Sequence, residues 1–217
     1  MQFMSYHEHL LKLAGVIYRS GEDDVDGLLA SFAADLVREG HRIGGVVQFN
    51  GKKAADPKAG MSLIDLMTGR SISISQSLGA ASSACKLDPA GLADAAVAVS
   101  RAIAENVELV IVNKFSKQEA SGGGLRAEIA DAVVAGLPIL TAVSDKCYDD
   151  WMTFTGGYGT TLACERSIID DWWRSMSQRE GRARLLASLE QVFDAAATQP
   201  LTTSTAAERL LPYHNVG

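Results

Sequence analysis

The segment with the clearest chemical potential is residues 113–126, NKFSKQEASGGGLR, which follows the most hydrophobic stretch of the chain. It holds two lysines, three successive glycines and an arginine at the start of a predicted helix. Glycine amides before a helix can point at an anion, and a cation in the first helical turn is unfavourable unless a negative group is nearby. The segment therefore predicts an anion site formed by Asn113, Lys114, Lys117, Gly122, Gly123, Gly124 and Arg126. In the alternative interpretation the glycines form a flexible hinge and the charges are solvated.

A second segment, residues 75–86 (SQSLGAASSACK), is rich in hydroxyl groups and small residues and carries one cation. Small residues let main-chain amides approach a ligand closely, and neutral donors together with one lysine suit an oxyanion. The candidate ligand-binding residues of this segment are Ser77, Gly79, Ser82, Ser83 and Lys86. The same composition is also typical of a tight connector whose serines cap turns. Cys85 is interpreted as a small apolar residue rather than a nucleophile.

The first strand-to-helix loop, residues 19–24 (RSGEDD), lies where a nucleotide-binding protein has a glycine-rich phosphate loop with a lysine and a hydroxyl residue. This loop has neither the glycines nor the lysine. Glu22, Asp23 and Asp24 instead place carboxylates at the helix start, where they can bond the amides that a phosphate would use. The main prediction is a self-capped helix, and the alternative is a cation held by Asp23 or Asp24 beside a bound phosphate.

Histidine, cysteine and tryptophan give no further catalytic signal. The four histidines lie outside the three loops, so a histidine general base is not expected. The three cysteines are odd in number and widely spaced, which favours reduced thiols over a disulfide or zinc site. The three tryptophans, Trp151, Trp172 and Trp173, are expected to be core or interface anchors. Trp151 precedes the GGYG stretch, so a lid over a ligand is the alternative for this residue.

The elements that must position these residues follow from apolar periodicity. Apolar runs at 10–18, 43–49, 107–112 and 138–143 predict buried strands, and residues 61–75 alternate around Thr68-Gly69-Arg70 as an antiparallel hairpin. Helical spacing predicts helices at 28–37, 90–105, 125–135, 145–154 and 168–197, with Asp88 as an N-cap. The expected architecture is one α/β domain over residues 1–198, with a mostly parallel sheet and an inserted β-hairpin, followed by a polar tail at 199–217.

Composition limits the function classes. Hydrophobic residues make up 47% of the 217 residues and charged residues 21%, as in an ordinary globular protein. The net charge of −6 argues against a sequence-independent grip on nucleic acid, so a small anionic ligand or a protein partner is expected. No apolar run reaches the length of a membrane span, and the start has no secretory pattern. A cytoplasmic protein with no membrane association is therefore predicted.

Several motifs resemble a bacterial family of uncharacterised proteins that are often encoded beside molybdate-transport genes. They are IGGVVQF, LIDLMTGRSISISQSLG, ACKLDPAGLADA, NKFSKQEASGGGLRAEIADA and LPILTAV, and the resemblance covers most of residues 11–160. The family usually has glycine where this chain has Ser116. The resemblance implies a role in molybdenum homeostasis or cofactor supply.

The order of strand, hairpin and NKFSKQE is also similar to small nucleoside-triphosphatases of the P-loop class. On that similarity Lys117 and Glu119 match the end of the strand that carries the acidic residues, whereas Asn113 and Lys114 replace the acidic pair itself. The similarity implies a P-loop-like fold with a degenerate phosphate loop. Loss of the acidic pair and of the phosphate-loop lysine removes most of the stabilisation that phosphoryl transfer needs.

Three functions remain open at this point. The leading hypothesis is a catalytically reduced protein that binds an oxyanion, such as molybdate or tungstate, or a phosphorylated ligand. The second is a magnesium-dependent nucleoside-triphosphatase in which Glu119 positions water. The third is a homo-oligomeric interaction or storage subunit in which Trp172, Trp173 and the tail form the interface.

Overall fold

The computed structural model describes residues 12–48, 61–76 and 86–197. Nine strands occur in these ranges: β1 (Leu13–Tyr18), β2 (Ile43–Gln48), β3 (Ser62–Asp65), β4 (Ser71–Ser73), β5 (Ser75–Gln76), β6 (Lys86–Leu87), β7 (Leu109–Phe115), β8 (Ile139–Ser144) and β9 (Thr160–Ala163). The helices in the same ranges are α1 (Val25–Arg38), α2 (Pro89–Ala104), α3 (Lys117–Ala120), α4 (Arg126–Val134), α5 (Tyr148–Thr155) and α6 (Arg166–Ala197). A 3-10 turn, Asp145–Cys147, leads into α5.

A mostly parallel sheet forms the centre of the fold. Its strand order is β4-β3-β2-β7-β8-β1-β9 among the described residues. The pairs along the stretch β2-β7-β8-β1-β9 are parallel, whereas β3 and β4 add an antiparallel hairpin beside β2. This arrangement confirms the predicted α/β class, the parallel core and the inserted hairpin. The remaining described pair, β5 with β6, forms a separate two-stranded ribbon.

The sheet is buried on both faces, as expected from uniformly apolar parallel strands. On one face Val110 and Val112 of β7 pack against α2, α4 and α5. On the other face Leu109 and Ile111 of the same strand pack against α1 and the start of α6. Successive side chains of β7 thus point alternately into the two cores. The carboxyl ends of the parallel strands meet at one edge of the sheet.

Strand β7 runs three residues beyond the predicted 107–112, so the prediction that Asn113 begins a loop is wrong. Val112 pairs with Thr141 and Phe115 with Val143, which leaves one extra residue in β7 as a bulge. The Thr141 hydroxyl donates to the Val112 carbonyl at 2.6 Å beside this irregularity. Polar residues 113 and 114 are therefore held by the sheet rather than by a flexible loop.

Helix and strand bounds elsewhere agree with the predictions within a few residues, and Asp88 caps α2 by accepting from the Ala90 amide at 3.1 Å. The sequence analysis missed β9, a short and polar edge strand beside β1. It also gave no sign of the short helix α3 within the 113–124 segment.

Packing divides the described chain into two units. The residues up to Ser177 belong to the α/β unit, and those from Gln178 onward belong to a second unit whose described part is the end of α6. The single domain over residues 1–198 and the tail at 199–217 stay predictions. Across the described ranges, none of the helices has the length and apolarity needed to cross a membrane.

Candidate functional site

A pocket of about 320 Å³ opens at the carboxyl edge of the sheet, where β1, β2 and β7 end. Open α/β sheets bind their ligands at this edge. Its polar lining residues are Tyr18, Gln48, Asn113, Lys114, Ser116, Gln118 and Glu119. Its apolar lining residues are Met61, Leu63, Ile74, Leu87, Leu92 and Leu125. The sheet thus presents a mainly apolar cavity with polar groups on the side of β7.

Two side chains of β7 converge beside this pocket on one carboxylate. Asp26, in the first turn of α1, accepts from the Asn113 amide at 2.8 Å and from the Lys114 ammonium at 2.9 Å, both at Oδ1. The Lys114 ammonium also lies 5.2 Å from the centre of the Tyr18 ring, in reach of a cation–π interaction. An acid from the first helix and a cation from β7 therefore meet inside the fold.

Asn113 has one hydrogen-bonding group left over. The residue is only 4% exposed, its amide nitrogen donates to Asp26, and no described residue donates to its buried Oδ1. The bond to Asp26 fixes the amide orientation because a carboxylate can only accept. A buried acceptor without a donor costs free energy, so this oxygen favours a bound molecule that carries an N–H or O–H group.

The first loop is self-capped, as predicted. Asp24 is the N-cap of α1 and accepts from the Gly27 amide at 3.0 Å. The Asp23 carboxylate accepts from the Arg19 amide at 2.7 Å, and the amides of Glu22 and Asp23 donate to the Arg19 carbonyl. These amides are already paired, so they do not form a phosphate cradle.

Glu119 is buried and fully engaged within its own turn. Its carboxylate accepts from the Ser116 amide at 2.9 Å, the Ser116 hydroxyl at 3.1 Å and the Leu125 amide at 3.1 Å. The bonds with Ser116 form a capping box, and the bond from the Leu125 amide joins it to the start of α4. The role of Glu119 as a water-positioning base stays a prediction, and these three bonds give the carboxylate a structural task.

The glycine run serves the same turn. The Gly122 amide donates to the Glu119 carbonyl and the Gly123 amide to the Gln118 carbonyl. Gly124 has a φ of +60°, and a Cβ there would lie 2.0 Å from Glu119 Oε1. The glycines therefore allow the chain to fold tightly around Glu119, and the amides of Gly122 and Gly123 already have acceptors.

Arg126 has a structural partner that the sequence did not reveal. Its guanidinium donates to the Glu119 carbonyl at 3.0 Å and lies 4.3 Å from the centre of the Phe154 ring. A carbonyl and an aromatic face explain the cation at the helix start without a bound anion.

Lys117 is exposed, and no ion pair with another described residue involves it. Burial raises the pKa of the nearby Cys147 thiol, the charge of Asp150 adds to this effect, and the charge of Lys117 opposes it. The Lys117 ammonium thus lies close enough to α5 to act on Cys147, and it does not line the pocket. Within the described ranges, no three His, Cys, Asp or Glu residues are grouped as a metal site.

The structure brings only part of the predicted site together. Asn113 and Lys114 line the pocket, whereas Arg126 and the glycines support the turn beside it. Ser77, Gly79, Ser82 and Ser83, together with Cys85, lie outside the described residues, as does the side chain of Lys86. The sequence patterns gave no role to Asp26, Tyr18 or Gln48. Position was the one feature that could have indicated them. Tyr18 and Gln48 lie at the ends of strands, and Asp26 lies in the first turn of a helix.

All three tryptophans are buried. Trp151 is fully buried and packs edge-on against Phe115, so the prediction of a lid over a ligand is wrong. Trp172 and Trp173 are 8% and 7% exposed and lie in the core beneath α1. Burial within their own unit confirms the core interpretation of these two residues, and an oligomer stays a prediction.

The fold and the edge pocket define a P-loop-like α/β protein with an acidic, self-capped first loop. Residues 13–172 match the family described as "Protein of unknown function (DUF2478)", and the chain belongs to this family. The resemblance to an uncharacterised family is thereby confirmed.

A curated relative is named "Molybdenum import ATP-binding protein ModC 2", from Bradyrhizobium diazoefficiens strain USDA 110. It is 53% identical over 207 residues, which cover 94% of this chain and 23% of the relative. The chain thus spans under a quarter of that protein. A solved structure titled as a human cancer-related nucleoside triphosphatase matches with a TM-score of 0.50 and 10% identity, over 87% of this chain and 100% of the other. That likeness supports the P-loop-like fold.

Proposed function

We propose that the edge pocket binds a nucleotide, or a related ligand that carries a base and a phosphate, without hydrolysing it. One observation carries this proposal. Asn113 lines the cavity at the ligand-binding edge of the sheet, and its buried Oδ1 accepts no hydrogen bond from a described residue. The protein would act as a cytoplasmic binding component in molybdenum import or cofactor supply.

The chemistry of the first loop and of β7 argues against hydrolysis. Phosphoryl transfer depends on a lysine and amides around the phosphates and on acidic residues that hold magnesium. Here the amides of Glu22 and Asp23 are already bonded to the Arg19 carbonyl. The end of β7 carries Asn113 and Lys114 in place of acidic residues. Lys114 is paired with Asp26, so the cation and the acid neutralise each other where a metal–phosphate complex would need both.

The shape and the apolar lining of the pocket favour a base over a free oxyanion. The cavity volume lies at the small end of the range for ligand sites, and most of its apolar lining residues are leucines. A nucleobase offers N–H groups to Asn113 and apolar faces to the leucines, whereas a free oxyanion offers neither.

A phosphate would lie nearer the mouth of the pocket. An ammonium has three N–H donors, and the contact with Asp26 uses one of those on Lys114. Lys117 follows on the exposed start of α3 and adds a second cation beside this edge. These two lysines are the described groups most able to contact a phosphate that projects from a buried base.

The link to molybdenum rests on the name of the Bradyrhizobium relative. That protein is named for molybdenum import and for ATP binding, and residues of this family make up less than a quarter of it. A binding domain that occurs within a transport ATPase is well placed to sense a nucleotide or the transported anion. The oxyanion hypothesis therefore stays open, and exposed Lys117 is the observation in its favour.

Isothermal titration calorimetry tests the proposal with adenosine, guanosine, ATP, GTP, molybdate, tungstate and sulfate, each with and without magnesium. We expect at least one nucleotide to bind, and its parent nucleoside to bind more weakly because it lacks the phosphate. Leu92→Trp fills the cavity from the α2 side without removing a polar contact and should abolish binding. Lys117→Ala should weaken binding of the nucleotide and leave binding of the parent nucleoside unchanged.

The matched control is Leu189→Trp, an exposed leucine of α6 that does not line the pocket and should leave binding unchanged. Thermal unfolding of each variant shows whether the fold is retained. Binding of molybdate or tungstate alone would replace the nucleotide proposal with the oxyanion hypothesis. Absence of binding for the whole panel would contradict both.

A further inference from the structure

The second unit exposes an apolar stripe on the last part of helix α6. Leu185, Leu186 and Leu189 are 61%, 51% and 45% exposed. At about 100° per residue these three leucines lie on one face of the helix. Single exposed apolar residues are normal, but three large ones that share one helix face indicate a surface that another molecule covers.

The charges beside the stripe are arranged for a particular partner. Arg179 and Glu190 are separated by eleven residues, or about three turns, and so lie on the same flank of the leucines. When two copies of this helix pair antiparallel, equal flanks meet, and Arg179 comes beside the partner's Glu190 on both sides of a two-fold axis. A parallel pair would instead bring opposite flanks together, so that Arg179 and the partner's Glu190 would not meet.

The helix also needs support from outside itself. The side chains described between Gln178 and Gln191 are exposed, apart from half-buried Glu180. Gly181 lies in the middle of the segment with no atom near the position of a Cβ, and an exposed glycine weakens a helix. Isolated helices of this length are marginal in water, and packing of an apolar face is what stabilises them.

We propose that residues 178–197 form an antiparallel helix pair with the same segment of a second copy of this chain. The leucine stripe forms the centre of the contact, and the Arg179–Glu190 pairs flank it and set the direction. The inference is independent of the ligand proposed for the edge pocket, since it uses only residues of the second unit.

Sedimentation equilibrium of the full chain over a concentration series tests the proposal. The wild type should dimerise, and Leu186→Asp should shift the equilibrium to the monomer. Arg179→Glu and Glu190→Arg should each raise the dimer dissociation constant by roughly tenfold, because each creates two like-charge contacts per dimer. The double variant Arg179→Glu/Glu190→Arg restores the opposite charges and should recover the wild-type constant.

Arg184→Glu is the matched control, since Arg184 lies on the side of the helix opposite the leucines and should leave the constant unchanged. Circular dichroism verifies that each variant keeps its helix content. A wild-type monomer at all concentrations would overturn the proposal. A dimer that is indifferent to Leu186→Asp, or that the charge exchange fails to restore, would overturn it as well.

Discussion

The Lys114 ammonium lies 2.9 Å from the Asp26 carboxylate, so that a cation from β7 and an acid from α1 form an ion pair beside the edge pocket. Their side chains are 22% and 12% exposed, so the pair is largely shielded from solvent. Removing one partner leaves the other charge buried, which costs about 2–4 kcal/mol of unfolding free energy. The pair therefore ties the first helix to the sheet at the site.

A double-mutant cycle with Asp26→Asn and Lys114→Met measures this coupling by urea denaturation. We expect an interaction energy of about 1–3 kcal/mol. The control cycle uses Asp171 and Arg174, an ion pair at 2.7 Å whose side chains are 69% and 65% exposed, and should give less than about 0.5 kcal/mol. Equal coupling in the two cycles would show that shielding does not strengthen the Asp26–Lys114 pair.

Gly124 and Gly122 give a second prediction because both have positive φ but only one is crowded. A methyl group at Gly124 meets the Glu119 carboxylate, whereas one at Gly122 meets nothing within 4 Å. Gly122→Ala should cost about 1 kcal/mol from backbone strain alone. Gly124→Ala should cost roughly 3 kcal/mol or more, since it also disrupts the bonds that Glu119 accepts. Similar losses in chemical denaturation would contradict the role given to Glu119 in this turn.

Asp65 gives a prediction about pH. Burial pushes the pKa of this carboxyl upward, but hydrogen bonds from the Thr68 hydroxyl, the Met67 amide and the Arg101 guanidinium outweigh it and hold the pKa below its ordinary value. The carboxylate anchors the β3–β4 hairpin to α2. A lowered pKa in the folded state stabilises the protein above the pKa of the unfolded chain, and this stability is lost as the pH falls through the folded value.

Asp65→Asn should therefore destabilise the protein by about 2–3 kcal/mol at neutral pH, with a difference that shrinks as the pH falls below 4. Urea denaturation of both proteins at several pH values measures it. Asp94→Asn is the control, since Asp94 pairs with Arg70 in solvent at the same hairpin and should have little effect. A loss that does not change with pH would contradict the assignment.

The sequence was sufficient for the fold because apolar periodicity marks buried strands strongly. The Val107–Val112 run predicted a central strand, and β7 is buried on both faces. It was insufficient for the strand's end, since Asn113 and Lys114 have the polarity of a loop. A bulge and a shared hydrogen-bond partner on α1 keep them in the sheet, and both depend on residues distant in sequence.

The candidate site shows the same limit. The acidic first loop was predictable because helix capping is local, and Asp24 caps α1 as expected. The glycine run and Arg126 suggested an anion, but Glu119 and Phe154 supply their partners. Residue types state which bonds a group can make, and only tertiary packing decides whether a ligand or the protein itself makes them.

The proposed function requires that the protein binds a nucleotide and that it does not hydrolyse it. Incubation of an excess of protein with γ-³²P-labelled ATP or GTP and magnesium tests both requirements, because bound nucleotide and released phosphate are followed in the same sample. We expect the wild type to retain the nucleotide intact and Leu92→Trp not to retain it. Phosphate release that requires magnesium and disappears in Glu119→Gln would contradict binding without hydrolysis and establish the triphosphatase alternative.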